Sequence, residues 1–334
     1  MLTGRPHTRE EILDHPLFLS IERQIALHLI GIYKRAPRLA RLAASHQKWL
    51  LTQTLFAMHT GRDRGNPVSG LTAGRMMQVA KEFDLASKNT AASFLAELIA
   101  YKFLRDAPDE TPDRRLRRLE TTELSEEAMA SWFQGHMACL DQLDGGNRAK
   151  LTADSPRLFH LAQPRAARAL IQEPIWKEPR SSIGHFLWSD VGGLVLHDLI
   201  SRLPNDAREH DRILLKGVSI SEIANEFGIS LTNLKRMFKK AETDNLLGWE
   251  SPRNRGALWL SRIFIEDYFY WQFREIRRIG QRHPLGGRPN PLAHTTNRRI
   301  AAHARWQRRR SASRSARPTC VPPDACCQQS VLAQ

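Results

Sequence analysis

The chain has 334 residues, 41% hydrophobic and 25% charged, and a formal net charge of +15. That length suits two domains of ordinary size, and the composition excludes a fibrous or wholly disordered protein. No apolar run approaches the roughly 18 residues of a membrane span, the start MLTGRPHTREE lacks the apolar core of a secretory signal, and four cysteines, three of them in the last fifteen residues, make no disulfide framework. The expectation is a cytoplasmic protein with no membrane partner. The excess positive charge points to a polyanion, but it is uneven. Residues 281–334 hold ten Arg, no Lys and one acid, Asp324, leaving only +6 for the other 280 residues. This Arg-rich segment is expected to be a disordered tail. A nucleic-acid-binding arm and a plain solvated extension both stay open for it, so total charge alone does not argue DNA binding.

In chain order, the first predicted element is a helix opened by Pro37, PRLARLAASHQKWLLTQTLFAMHT. It leads to VAKEFDL at 79–85, a heptad that returns as IANEFGI at 223–229. Ala80 and Ala224, Glu82 and Glu226, and Phe83 and Phe227 each lie 144 residues apart. In the first copy Asp84 stands where the second has Gly228, and Asp tolerates the left-handed region better than most residues. The turn DLAS reads one residue longer than usual. Ser87 is then expected to cap a helix, KNTAASFLAELIAYKFL, whose buried stripe is Phe94, Leu95 and Leu98. Phe94 and Phe238 also lie 144 apart.

The following RDAPDETPDRRLRRLETTELSEE reads as two short strands around a turn, with Arg114, Arg115, Arg117 and Arg118 at the tip. A helix, SEEAMASWFQGHMACLDQL, comes next and is closed by Gly145 and Gly146. Its stripe of Trp132, Phe133, His136 and Met137 is expected in the core, as is Cys139. Residues 147–188 read as a Pro-containing helical linker.

Ser189 is expected to open SDVGGLVLHDLISRL, which leads into the second copy. Ser219 and Glu222 fit a capping box, so a helix should start at Ile220 and end at Gly228. Ser230 should cap the next helix, with Leu234, Met237 and Phe238 facing Ile223 and Phe227. The order of small Ala224, Gly228, Ile229, Ser230 and Leu234 is a helix-turn-helix pattern: Ala permits close helix approach, Gly makes the turn, and the apolar pair locks the crossing. A hairpin with Arg253 and Arg255 follows. The last helix, SRIFIEDYFYWQFREIRRI, closes at Gly280. Its Phe264, Tyr268, Phe269, Trp271 and Phe273 suit either core or a partner helix.

Residues 46–145 resemble winged-helix regulators of the MarR (multiple antibiotic resistance regulator) type. The resemblance rests on AELIAYKFLR, on the wing DRRLRRLETTE, and on the pair Asp113 and Arg115. The second copy, at 189–280, resembles a winged helix in general. The implied fold class is mainly α, with two tandem winged helix-turn-helix domains, small β-hairpin wings and flanking amphipathic helices. The domains would be 1–146 (N-terminal helices and first winged helix), 147–188 (linker), 189–280 (second winged helix) and 281–334 (tail).

The functional expectation is a transcriptional regulator that binds double-stranded DNA in a sequence-specific way. Contacts would come from Lys88, Asn89, Thr90 and Ser93 on the first reading helix. On the second they would come from Thr232, Asn233, Lys235, Arg236 and Lys239. Asn pairs bidentately with adenine and Arg with guanine. The wings would add Arg114, Arg115, Arg117, Arg253 and Arg255 to phosphate or the minor groove. No phosphate loop, GxGxxG, HExxH or GxSxG appears, so no enzyme and no cofactor are expected. No metal site is expected, since CVPPDACC lacks tetrahedral-site spacing. A homodimer, through the aromatic helix from Ser261 to Gly280, and a small-molecule effector stay open. So do two other functions: a plasmid replication initiator with tandem winged helices, and a winged-helix protein–protein interaction module.

Overall fold

A computed structural model of the chain describes residues 11, 14–42, 45–66, 68–108, 117–207, 210–251 and 255–280, with residues 255 and 273–280 as backbone. The expected tail and the wing residues Arg114, Arg115 and Arg253 lie outside the described residues.

The described chain is mainly helical, with two small antiparallel sheets of three strands each. Two N-terminal helices, α1 (Phe18–Arg35) and α2 (Pro37–Leu42), come first. The first half then runs α3 (His46–Thr60), β1 (Leu71–Thr72), α4 (Ala73–Glu82), α5 (Lys88–Ala100), β2 (Leu104–Asp106), β3 (Arg118–Thr121) and α6 (Glu123–Asp144). Four helices follow: α7 (Arg148–Asp154), α8 (Pro156–Ile171), α9 (Pro174–Lys177) and α10 (Ser181–Leu187). The second half repeats the first order with α11 (Gly192–Ser201), β4 (Arg212–Leu215), α12 (Ile220–Phe227), α13 (Leu231–Thr243), β5 (Leu247–Ser251), β6 (Arg255–Ser261) and α14 (Arg262–Gly280). The sheet orders match as well, β1-β3-β2 and β4-β6-β5. Leu71 pairs with Leu119 and Leu104 with Thr121; Ile213 and Leu247 both face Leu260.

Helix starts follow local chemistry. Ser45, Thr72, Ser87, Ser219 and Ser230 each accept a hydrogen bond from the backbone N–H three residues on, which satisfies a donor that the first turn leaves open. The run expected from Pro37 to Thr60 is thereby two helices, since Ser45 caps a fresh start. Ser189 does not open the next expected helix. Its hydroxyl donates to the His185 carbonyl at 2.8 Å, and the helix begins at Gly192. Glycine is required there because a Cβ would collide with the Phe186 carbonyl. Gly145, left-handed at φ +67°, closes α6 as expected.

The core draws on both halves. The N-terminal α1 packs on α11 of the second half and on α6 of the first; α6 also packs on α14. Residues 147–188 are not a linker in the structural sense. Their α8 packs against α3 and α14, and Phe159, Leu170, Ile171 and Trp176 are buried. Trp176 stacks on Trp271 with centroids 5.1 Å apart. Arg180 and Ser182 both donate to the Asp267 carboxylate on α14. Burying side chains such as Phe159, Leu170 and Ile171 is worth about 1.5–3 kcal/mol each, which helps to hold a Pro-bearing stretch in the fold.

The expected core stripe is in place: Trp132, Phe133, His136, Met137 and Cys139 are all buried. Burial pushes the Cys139 thiol up to about 12, with the charge of Glu22 adding to it. Four aromatic residues of α14 are also covered within the chain. Phe264, Tyr268, Phe269 and Trp271 are buried, and Phe18 of α1 meets Phe269 edge-on at 5.1 Å. That removes the reason for expecting a dimer through this helix; Phe273 lies among residues described by backbone alone. No described helix is long and apolar enough to cross a membrane.

Candidate nucleic-acid interface

Each half places two helices around a tight turn. In the second half Gly228 takes the left-handed conformation at φ +59°, and the Ile229 N–H returns to the Ala224 carbonyl at 3.0 Å. In the first half Asp84 adopts the same conformation at φ +55°, and the Leu85 N–H returns to the Ala80 carbonyl at 2.8 Å. Ala80 and Ala224 are both buried, where a larger side chain would hold the helices apart.

The turns then diverge by one residue. Ser230 caps α13 directly after Ile229, whereas Ala86 intervenes between Leu85 and the cap Ser87. Beyond that point the halves correspond at an offset of 143, not 144. The buried set Ala91, Phe94, Leu95 and Leu98 matches Leu234, Met237, Phe238 and Ala241. Lys102 and Asn245 are both left-handed, and the next N–H groups bond back to Leu98 and Ala241. The sequence match of Phe94 to Phe238 is therefore a coincidence of spacing. Phe94 sits where Met237 does, because the longer turn delays the helix by one residue.

The exposed faces differ in charge. On α5, Lys88, Asn89 and Ser93 are exposed, while Thr90 is half-buried with its hydroxyl 2.9 Å from that of Ser87. That helix carries one Lys and one Glu. On α13, Thr232, Asn233, Lys235, Arg236 and Lys239 are all exposed, and four basic residues stand against Glu242 alone. Arg236 donates to the Asn233 side-chain oxygen at 3.0 Å, which orients both groups outward from one turn. Lys239 pairs with Glu242 at 2.9 Å.

The first hairpin changes one expected wing contact, Arg117, and one residue expected at the tip, Arg118. Arg117 is exposed but forks onto Asp106 across the first hairpin, at 2.6 and 3.2 Å. That hydrogen bond holds the Asp106 carboxyl below its ordinary range. Arg118, expected at the tip, is 6% exposed instead; it opens β3, the central strand of its sheet, where Leu119 beside it is buried too. In the second hairpin Arg255 opens β6 opposite Ser251. That ribbon is braced by Arg212, whose guanidinium lies 4.2 Å from the Trp259 ring centre. Gly248 makes room for this indole, since a Cβ there would overlap the ring.

The second turn is also held from outside. The Tyr33 hydroxyl donates to the Phe227 carbonyl, Arg41 donates to the Gly228 carbonyl, and Lys34 pairs with Glu226 at 2.8 Å. Arg38, Arg41, Lys48 and Lys240 line one cleft with Asn233 and Arg236. The sequence reading did not single out these four. Arg38 and Arg41 sit on a two-turn helix with no motif, so only the tertiary packing of α2 on the second turn reveals them.

A separate apolar cavity of about 180 Å³ lies where both halves meet, walled in part by Trp49, Trp132, Trp176, Trp271, His46 and His197. The indole N–H groups of Trp176 and Trp271 are buried without an acceptor. Burial drives His46 down to about 4 and His197 to about 3, so both rings are neutral. Among the described residues no group of three His, Cys, Asp or Glu is placed to hold a metal ion. Comparison with known proteins gave no match to a family model, a curated protein or a solved structure.

Proposed function

We propose that the chain is a sequence-specific DNA-binding transcriptional regulator whose halves are two winged helix-turn-helix units, the first of MarR type. The observation that carries this reading is the repeat of one topology, helix–strand–helix–turn–helix–strand–strand–helix, with a capped and exposed second helix in each half. A basic helix standing free beside a hairpin suits a major groove with a phosphate-contacting wing. On this reading α13 and α5 are the reading helices, the units form a pseudo-dimer within one chain, and the protein works in the cytoplasm. The packing of α6 on α14 supports the pseudo-dimer, because these are the helices that follow the two hairpins.

The two reading helices differ in sequence and charge, so the site they read is asymmetric. Genome-wide mapping of bound sites, followed by footprinting, tests this. The expected result is two unlike half-sites about one helical turn apart, roughly 34–36 Å. A perfect palindrome with either half dispensable would rule out the pseudo-dimer.

The apolar cavity suits a small-molecule effector, since its unpaired indole donors offer direction in an otherwise apolar space. Two other functions are separable by experiment. Binding to repeated origin DNA with local melting would favour a replication initiator. Loss of all DNA affinity in a chain lacking the Arg-rich tail would favour a protein–protein module, a role that the near-neutral face of α5 suits better than α13 does.

A further inference from the structure

Neither helix-turn-helix accounts for the basic cleft beside α13. It has a volume of about 880 Å³, with walls from Lys48 and Tyr101 in the first half, Arg38 and Arg41 on α2, and Arg236 and Lys240 on α13. Asp190 is the one acidic residue lining it. Among the described residues, no carboxylate is within ion-pair distance of Arg38, Arg41, Arg236 or Lys240. Lys48 alone is neutralised, by Glu97 at 3.2 Å. His185 lies in the same wall; burial lowers it first, and of the nearby charges Lys240 lowers it while Asp244 raises it.

Four cations without a carboxylate partner line one open cleft, and a bound polyanion would offset their mutual repulsion. The geometry also fixes the cleft to the reading helix. Arg41 donates to the Gly228 carbonyl, which ties α2 to the turn ahead of α13. The wall includes Asn233 and Arg236, the residues proposed to meet base edges. A polyanion lying along this cleft would touch both α2 and the face that α13 is proposed to present to DNA.

We infer that this cleft takes the sugar-phosphate backbone of duplex DNA, with Arg38 on α2 and Lys240 on α13 contacting phosphates beside the groove entered by α13. This rests on the DNA-binding reading above. It adds an N-terminal helix, outside both helix-turn-helix motifs, to the interface.

The test measures binding of the full chain to a mixed-sequence duplex as a function of salt. The variant is Arg38→Gln with Lys240→Gln; both side chains are exposed, so the fold should be kept, which thermal unfolding verifies. Arg41 is left intact because it also holds Gly228. Lys150→Gln with Arg157→Gln, on α7 and α8, removes the same charge elsewhere. The expected result is a plot of log affinity against log salt shallower by about 1.8, roughly 0.9 for each lost phosphate, with the control pair near wild type. A variant slope equal to wild type, or an equal loss in the control pair, would overturn the cleft assignment while leaving the DNA-binding function standing. A wild-type chain that binds no duplex at all would overturn the functional reading first.

Discussion

The hydroxyl of Tyr33 donates to the carbonyl of Phe227 at 3.0 Å, and the two rings meet edge-on at 5.7 Å. These residues are 194 positions apart, on the N-terminal helix and at the end of the first helix of the second turn. Both are buried. The contact means that the second helix pair is not an independent unit, because its turn is held from the other end of the chain. Tyr33→Phe keeps the ring and removes the donor. We predict a loss of about 1–2 kcal/mol, the usual result of leaving a buried carbonyl short of a partner, read by urea denaturation. A loss below a few tenths would show that water replaces the hydroxyl without cost.

The two turns make opposite predictions for glycine. At Gly228 the backbone is left-handed, and an added Cβ would strike the Arg41 guanidinium. Gly228→Ala should cost about 1–2 kcal/mol from the left-handed backbone alone. At Asp84 the same backbone already carries a side chain, so Asp84→Gly should change stability by less than about 1 kcal/mol in either direction. Equal effects at the two sites would mean that the turns are not equivalent.

On α13, Asn233→Ala or Arg236→Ala should each cost about 1–3 kcal/mol in binding and relax preference at one base position. Because the two side chains hydrogen-bond at 3.0 Å, the double variant should lose less than the sum of the singles. Quantitative binding to a panel of base-substituted sites gives both numbers. A loss uniform across all sequences would reassign the pair to phosphate.

Acid should weaken the fold through His46 and His197. Burial lowers both, to about 4 and about 3, from an ordinary value of 6.5. The unfolded chain therefore binds protons below 6.5 while the folded chain does not. Stability is complete above that value and falls as pH drops toward the folded values. By pH 5 each ring should have removed roughly 2 kcal/mol. His197→Asn or His46→Gln should flatten melting temperature against pH between about 6.5 and 4. An unchanged slope in both variants would place the acid sensitivity elsewhere.

Much of the local structure was legible in the sequence. The caps Ser87, Ser219 and Ser230, the left-handed Asp84 and Gly228, and the stripe Phe94, Leu95 and Leu98 all follow from short-range chemistry: a hydroxyl three residues before an open N–H, or an apolar face at helical spacing. The extra residue in the first turn was legible too. Its consequence was not, because matching Phe94 to Phe238 by spacing ignores what a one-residue delay does to every later position.

What only the tertiary structure decided is how the halves meet. Residues 147–188 looked like a linker because prolines interrupt their periodicity, yet Trp176 and Ile171 are fully buried against elements far away in the chain. The aromatic face of α14 looked large enough to need a partner molecule, yet Phe18 and Trp176 cover it from within. Arg118 looked exposed because its neighbours are charged, yet it is buried at the start of the central strand β3. Arg38 and Arg41 carry no signal until α2 lands beside Gly228. Sequence determines which faces of a segment are apolar and where its ends are capped. It does not say which other face fills the space opposite, because packing joins residues whose separation along the chain carries no pattern.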